Sequence, residues 1–219
     1  MFKIGKDASF KGTDIPFGVL DVRYPAKKEW DEEGFRIFKD QELAKIMALA
    51  PTYDRKDVFG EDPYFRYFRK YKKTYPVMMQ LESFLGEARP FPDVNPVNEV
   101  AFLAELKTRM LLGTHDIARI QGELTLFRDT RKTPFCGMGD REVHNYPGDI
   151  SGRDDLGIVL SMIAGADNRT CVSQDTRHTA YFVFGVHGME ETKVQSALAL
   201  LELYAKSLAP LAVVDRAIL

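Results

Sequence analysis

Two short stretches hold the residues whose types and spacing could do chemistry. The first is Leu112-Gly-Thr-His-Asp116, followed by Gly122 and a run that ends at Arg128. Gly113 and Gly122 read as two sharp turns, in conformations a Cβ would obstruct, or as backbone lying close to something bound. His115 sits between them. Its imidazole changes charge near neutral pH and could hold or activate a water, or it could be an ordinary turn histidine. Asp116 reads as a cap or Asx turn that fixes the loop, with a bond to a ligand as the alternative. The second stretch is Ala164-Gly-Ala-Asp-Asn-Arg-Thr170. A carboxylate after Ala-Gly-Ala could line a small cavity and bind an ammonium or a hydroxyl. Asp167 could equally be a simple turn aspartate before Asn168. Arg169 and Thr170 could hold a phosphate or sugar, although an Arg in a loop is more often solvated.

A third stretch, Asp62-Pro-Tyr-Phe-Arg-Tyr-Phe-Arg-Lys-Tyr-Lys-Lys73, interleaves Arg66, Arg69, Lys70, Lys72 and Lys73 with aromatic rings. Aromatic faces stack bases while the cations neutralise phosphates, which makes this the credible RNA-binding surface. Helical spacing gives a plainer account, with rings inward and charges outward. Other chemistries are disfavoured. His115, His144, His178 and His187 show no HExxH or paired spacing, so no metal is expected. No GxGxxG or Walker loop is present, so no nucleotide cofactor is expected.

The elements that must position these residues follow from local signals. The 219 residues suffice for one large domain, and 45% hydrophobic with 28% charged is a globular balance. A net charge of -2 gives no global attraction to nucleic acid, so RNA contacts must be local, weak and salt-sensitive. Residues 14–23 look like an opening strand interrupted near Pro16 and Gly18. Asp40 is expected to cap a helix that runs to about Ala48 and stops at Pro51. Asp62-Pro63 and Asn95-Pro96 are cap-then-Pro starts of helices, the second ending near Met110. A further helix should run from Pro76 to Leu85 and stop at Gly86. Residues 88–96 read as a connector in which Phe91 and Val94 pack. Strands are expected at 123–128, 157–163 and 179–186, and a last long helix at 190–208. Helices first, strands second and a helix last suggest an α+β fold with a mixed or antiparallel sheet flanked by helices. The N-terminus has no signal-peptide core, no run approaches the roughly 18 apolar residues of a membrane span, and Cys136 and Cys171 form no CxxC pair. A cytoplasmic setting with no membrane or DNA partner is the expectation.

In order and spacing, these blocks together resemble the B3/B4 domain of the phenylalanyl-tRNA synthetase β subunit, in a free-standing form. The likeness runs from Asp62 to about Leu208. It covers the basic helix, Asn95-Pro96, the Gly113–Asp116–Gly122 corner, Pro147-Gly148-Asp149 and Asp167-Asn-Arg-Thr170. It implies a B3/B4-like domain over 61–219, with 1–60 as a helical extension packed on it. It also implies an editing hydrolase that deacylates a mischarged tRNA bound weakly and transiently, with no cofactor. The site would lie between the Gly113 corner and the Asp167 loop. Gly113, Thr114, Asp167, Asn168 and Thr170 would bind substrate, and His115 would be the candidate catalytic group. A non-catalytic module that binds RNA or a free amino acid in the same pocket is the alternative. The chain departs from the family in carrying Met110-Leu-Leu-Gly113 where free-standing members often have Leu-Pro-aliphatic-Gly. It also carries Met162-Ile-Ala-Gly-Ala-Asp-Asn-Arg-Thr170 where they have a Trp-Asn-Trp-Arg block.

Overall fold

The computed structural model describes residues 1–87, 89–93 and 95–219, so Val94 lies outside the described residues. In chain order the elements are β1 (Ile4–Lys6), β2 (Phe17–Arg23), α1 (Glu32–Met47), α2 (Arg55–Phe59), α3 (Pro63–Lys70), α4 (Pro76–Leu85) and α5 (Pro96–Thr108). Then come β3 (Leu112–Asp116), β4 (Leu124–Arg128), β5 (Pro134–Gly137), β6 (Arg141–His144), β7 (Ile150–Asp154), β8 (Gly157–Ser161), β9 (Gly165–Ala166) and β10 (His178–Phe184). The chain closes with α6 (Glu191–Leu208) and β11 (Val213–Ile218). The fold is α+β.

The cap-then-Pro signals act as local chemistry dictates. The Asp62 carboxylate accepts from Tyr64 N at 2.8 Å and starts α3, and Asn95 Oδ1 accepts from Val97 N at 2.9 Å and starts α5. The first long helix begins earlier than expected. Its cap is Asp31, whose carboxylate accepts from Gly34 N at 2.9 Å, while Asp40 lies mid-helix beside Arg36 at 3.7 Å. Phe91 packs against the core as expected, with Lys39 Nζ 5.6 Å from its ring centre.

A four-stranded antiparallel sheet has the order β11-β2-β10-β3. A five-stranded mixed sheet, β1-β4-β7-β8-β9, pairs β1 with β4 in parallel and is otherwise antiparallel. A hairpin of β5 and β6 forms a third, two-stranded sheet, joined by a bridge from Gly137 to Asp167 just beyond β9. Residues 1–60 supply a strand to each sheet, and β2 is bonded on both its edges. Gly18 lies inside β2 rather than interrupting it. A Cβ there would come within 2.6 Å of Val194 Cγ1, so its absence lets α6 press onto the sheet.

Facing pairs across the strands sort the side chains. Tyr181, opposite Thr114, points to the helices and donates to the Val97 carbonyl of α5 at 2.9 Å. Phe182, opposite Gly113, points the other way, where it packs on Phe17 at 5.4 Å. One continuous buried cluster joins residues of both larger sheets to α1, α4, α5 and α6. In the same cluster Tyr64 of α3 stacks on Tyr75 at 5.0 Å and donates to the Phe184 carbonyl.

Candidate functional site

The two stretches that carry the chemistry do meet. Asp116 N donates to the Thr170 carbonyl at 2.8 Å, and His115 Nδ1 lies 2.8 Å from Thr170 Oγ1. They meet differently from the expected corner. Gly113 is in mid-strand, paired with Phe182, and its φ is not positive. A Cβ at Gly113 would lie 3.1 Å from the Phe184 ring and 3.7 Å from His115 Nε2, so the glycine makes room rather than a turn. The reversal before β3 comes at Arg109, in the left-handed region at φ 60°. Gly122 does turn, at φ 74°. Because side chains alternate along β3, Thr114 faces α5 while Gly113 and His115 share the opposite face. Thr114 and His115 therefore cannot line one cavity.

His115 is fully buried, in ring contact with Phe182 at 5.3 Å. Burial, helped by the Arg169 cation, pushes its pKa down to about 3, so the imidazole is neutral at physiological pH. The Thr170 hydroxyl donates its single proton to Asp167 Oδ1, so toward His115 it can only accept. That assigns the proton of His115 to Nδ1 and leaves Nε2 as a buried acceptor without a partner among the described residues. Sealed from solvent, this histidine has no access to bulk water. Its function here is to fix Thr170, which in turn fixes Asp167.

Asp167 is the pivot of the second stretch. Its carboxylate takes the Thr170 hydroxyl and the Thr170 N–H at 3.1 Å, and Arg169 Nε lies 3.6 Å from Oδ2. Burial raises its pKa, against the pull of those partners. Arg169 is committed elsewhere, its Nη2 donating to both oxygens of Asp154 at 2.9 and 2.8 Å, and so is not a free phosphate clamp. Asn168 binds the hairpin: its Nδ2 donates to Asp140 at 2.6 Å, its Oδ1 accepts from Gly139 N at 3.1 Å, and its N–H donates to the Cys136 carbonyl at 2.9 Å. Asp116 is structural, bonded to Ala118 N at 3.0 Å and to the Thr176 hydroxyl at 2.8 Å.

Beside this pivot opens a cleft of about 430 Å³, lined by Phe135 and Cys136 of β5, Leu156 to Ile158, and Asp167 to Arg169. Its lining includes Asp167 and Asn168 but neither Gly113 nor Thr114. The space expected between β3 and the 167–170 loop is filled by His115 and Thr170 themselves. Phe135, Cys136 and Leu156 carried no sequence signal, since they come from a hairpin and a turn with no recognisable motif. The Cys136 thiol is raised above its usual range by burial and by the Asp140 carboxylate, which keeps it protonated. A larger cleft of about 620 Å³ lies between α4, α5 and Arg89–Pro92. It is walled by Met79, Phe84, Phe91, Phe102 and Leu106 and contains no residue of either stretch. Of these two the smaller cleft is the better candidate, because it joins open space to a buried charged group.

The basic run divides. Arg66 pairs with Glu61 at 3.6 Å and Arg69 packs over Phe65 at 5.7 Å. Tyr67 turns inward to donate to Asp149 at 2.8 Å, and Phe68 is buried. Lys70, Lys72 and Lys73 stay exposed, Lys72 in the left-handed region at φ 57°.

No described helix is long and apolar enough to cross a membrane. No family model and no curated protein matches the chain. Among solved structures the chain is similar to an N-terminal fragment of the phenylalanyl-tRNA synthetase β-subunit from Pyrococcus horikoshii, with a TM-score of 0.49 and 11% identity. The match covers 99% of this chain and 50% of that one, so the chain spans about half the length of that fragment.

Proposed function

We propose that the protein is a B3/B4-like editing hydrolase that frees tRNA of a wrongly attached amino acid. The observation that carries this reading is Asp167, a buried carboxylate held by Thr170 and Arg169 at the wall of an open cleft. Such a group binds an α-ammonium by a charge-assisted hydrogen bond. A cleft of about 430 Å³ falls within the usual range for small-ligand sites. An aminoacyl ester is already activated, so the site needs to fix it and admit one water. The water oxygen adds to the ester carbonyl and the ribose oxygen leaves with the proton, which the neighbouring ribose hydroxyl relays. Asp167 binds and orients the amino acid, and Asn168, tied to the hairpin, forms the wall beside it. Thr170 and His115 are positioning residues behind them.

The alternative is a module that binds an amino acid or RNA without turning it over. It is favoured by the state of the other groups near the cleft. His115 is sealed, Arg169 is committed and Cys136 is protonated, which leaves Asp167 as the one side-chain base among the described residues that line the cleft. Incubation with a panel of mischarged tRNAs separates the two readings. The hydrolase reading expects amino-acid release from at least one, with kcat/KM falling about 10- to 100-fold in Asp167→Asn, the worth of one charge-assisted hydrogen bond. No release from any tRNA, with a calorimetric signal for a free amino acid, would establish the module instead.

A further inference from the structure

The folded chain assembles a cationic surface that the linear run does not contain. Lys70 and Lys73, at the end of α3, are joined by Arg128 at the end of β4 and by Lys132 ahead of β5. Between them stand two half-buried tyrosines, Tyr71 and Tyr146, edge to face at 5.7 Å. Lys70 Nζ lies 5.3 Å from the Tyr71 ring centre, and Lys132 and Lys73 lie 5.0 and 5.9 Å from that of Tyr146. At the centre is Gly148, at φ 76°. A Cβ there would sit 3.5 Å from Lys70 Nζ, 3.5 Å from the Tyr71 hydroxyl and 3.6 Å from Arg128 Nη2. Two cationic donors, Lys70 and Arg128, thus converge on one point that glycine leaves open, beside the Tyr71 hydroxyl, which itself donates to the Pro147 carbonyl at 3.3 Å. Arg128 is held in place through Nε, which donates to the Gly148 carbonyl at 3.2 Å.

No direct ion pair ties these cations down. Among the described residues none of these four cations has a carboxylate within 4.0 Å, although the chain as a whole is acidic at -2. The neighbouring carboxylates are oriented by neutral protein partners, Asp129 by Thr133 and Asn145, and Asp149 by Tyr67 and Ser161. Phosphates can therefore pair with the cations directly, and bases supply faces for the rings. The β5–β6 hairpin links this surface to the cleft. Lys132 and Tyr146 flank its open end, and Gly139 and Asp140 at its tip hold Asn168. Four residues of strand span about 13 Å.

We infer that this surface grips single-stranded RNA. One phosphate is seated over Gly148 between Lys70 and Arg128. A base stacks on Tyr146, and Lys73 and Lys132 neutralise the flanking phosphates. The strand then follows the hairpin toward the Asp167 cleft. The RNA partner is taken from the hydrolase reading above, but the grip is tested apart from it.

Fluorescence anisotropy with a short fluorescein-labelled single-stranded oligoribonucleotide reads the grip directly. With four contacts, log affinity should fall against log salt with a slope near about -3, and each lost contact should remove about 0.7 of it. Lys70→Glu combined with Lys132→Glu should weaken binding more than tenfold, and Tyr146→Ala about 5- to 100-fold. Lys28→Glu, a charge reversal on an exposed turn ahead of α1, should bind as the parent does. All these positions are exposed or half-buried, and circular dichroism checks that each variant is folded. Absence of binding at low salt overturns the inference, as does parental affinity in the double variant. Binding to anionic lipid vesicles without binding to the oligonucleotide overturns it too. Release of amino acid from 3′-aminoacyl adenosine, too small to reach the grip, is followed in parallel. No release, with RNA binding intact and sensitive to the substitutions, rejects the hydrolase and leaves the grip standing.

Discussion

Glu105 gives a quantitative test of how α5 holds the strand that carries Gly113 and His115. Its side chain is buried, and Oε1 accepts from Leu112 N, the first residue of β3, at 2.9 Å. Burial raises its pKa from 4.5 to about 8, with the Leu112 N–H pulling weakly the other way. Between those values the unfolded chain has lost a proton that the folded chain keeps. Stability therefore falls as pH rises, by up to about 1.4 kcal/mol per unit. The contribution is fully present below about pH 4.5 and lost as pH rises toward 8, a loss on the order of 3 kcal/mol by pH 7. Glu105→Gln keeps the acceptor and the shape but removes the titration. Urea unfolding of parent and variant across pH 5 to 8 should show near-equal stability at the acid end and a more stable variant at the basic end. Taking the difference cancels Asp149, raised to about 6, and His115, lowered to about 3, since both chains share them. A difference that does not grow with pH would refute the neutral, buried Glu105.

Three further substitutions follow from the geometry. Thr170→Val removes the donor to Asp167 and the acceptor of the His115 Nδ1 proton, and should destabilise by about 2–4 kcal/mol in thermal or urea unfolding. Gly18→Ala sets a methyl 2.6 Å from Val194 Cγ1 under α6 and should cost about 1–3 kcal/mol by the same measurement. Arg109→Gly relieves a left-handed residue at φ 60° after α5 and should stabilise by about 0.5–1 kcal/mol.

Helix starts were legible because a cap and a proline act within one turn. Asp62-Pro63, Asn95-Pro96 and the stop at Gly86 all lie where residue type places them. Asp40 misled because Asp is an equally good cap at many positions. The true cap, Asp31, works through Gly34, where a Cβ would clash with the Asp31 carboxylate. Short or exposed strands such as β1 and β11 owe their existence to partners far along the chain, so no local pattern announces them. The β5–β6 hairpin is local, but its residues are largely polar or exposed and show no clear apolar alternation. Gly113 shows the same limit within the site. Its glycine answers to the Phe184 ring, 71 positions on, and not to a turn. Asp167 and Thr170 could be singled out by type, but the sealing of His115 against Thr170, 55 residues away, is a tertiary fact.

The editing reading requires an aminoacylated ribose to lodge in the cleft beside Asp167. A crystal structure with a non-hydrolysable amide analogue of 3′-aminoacyl adenosine tests this most directly. The analogue's ammonium is expected within hydrogen-bonding distance of the Asp167 carboxylate, with Phe135 and Ile158 against the amino-acid side chain. An analogue seated instead in the apolar cleft lined by Phe84 and Phe102, or found nowhere on the protein, would contradict it.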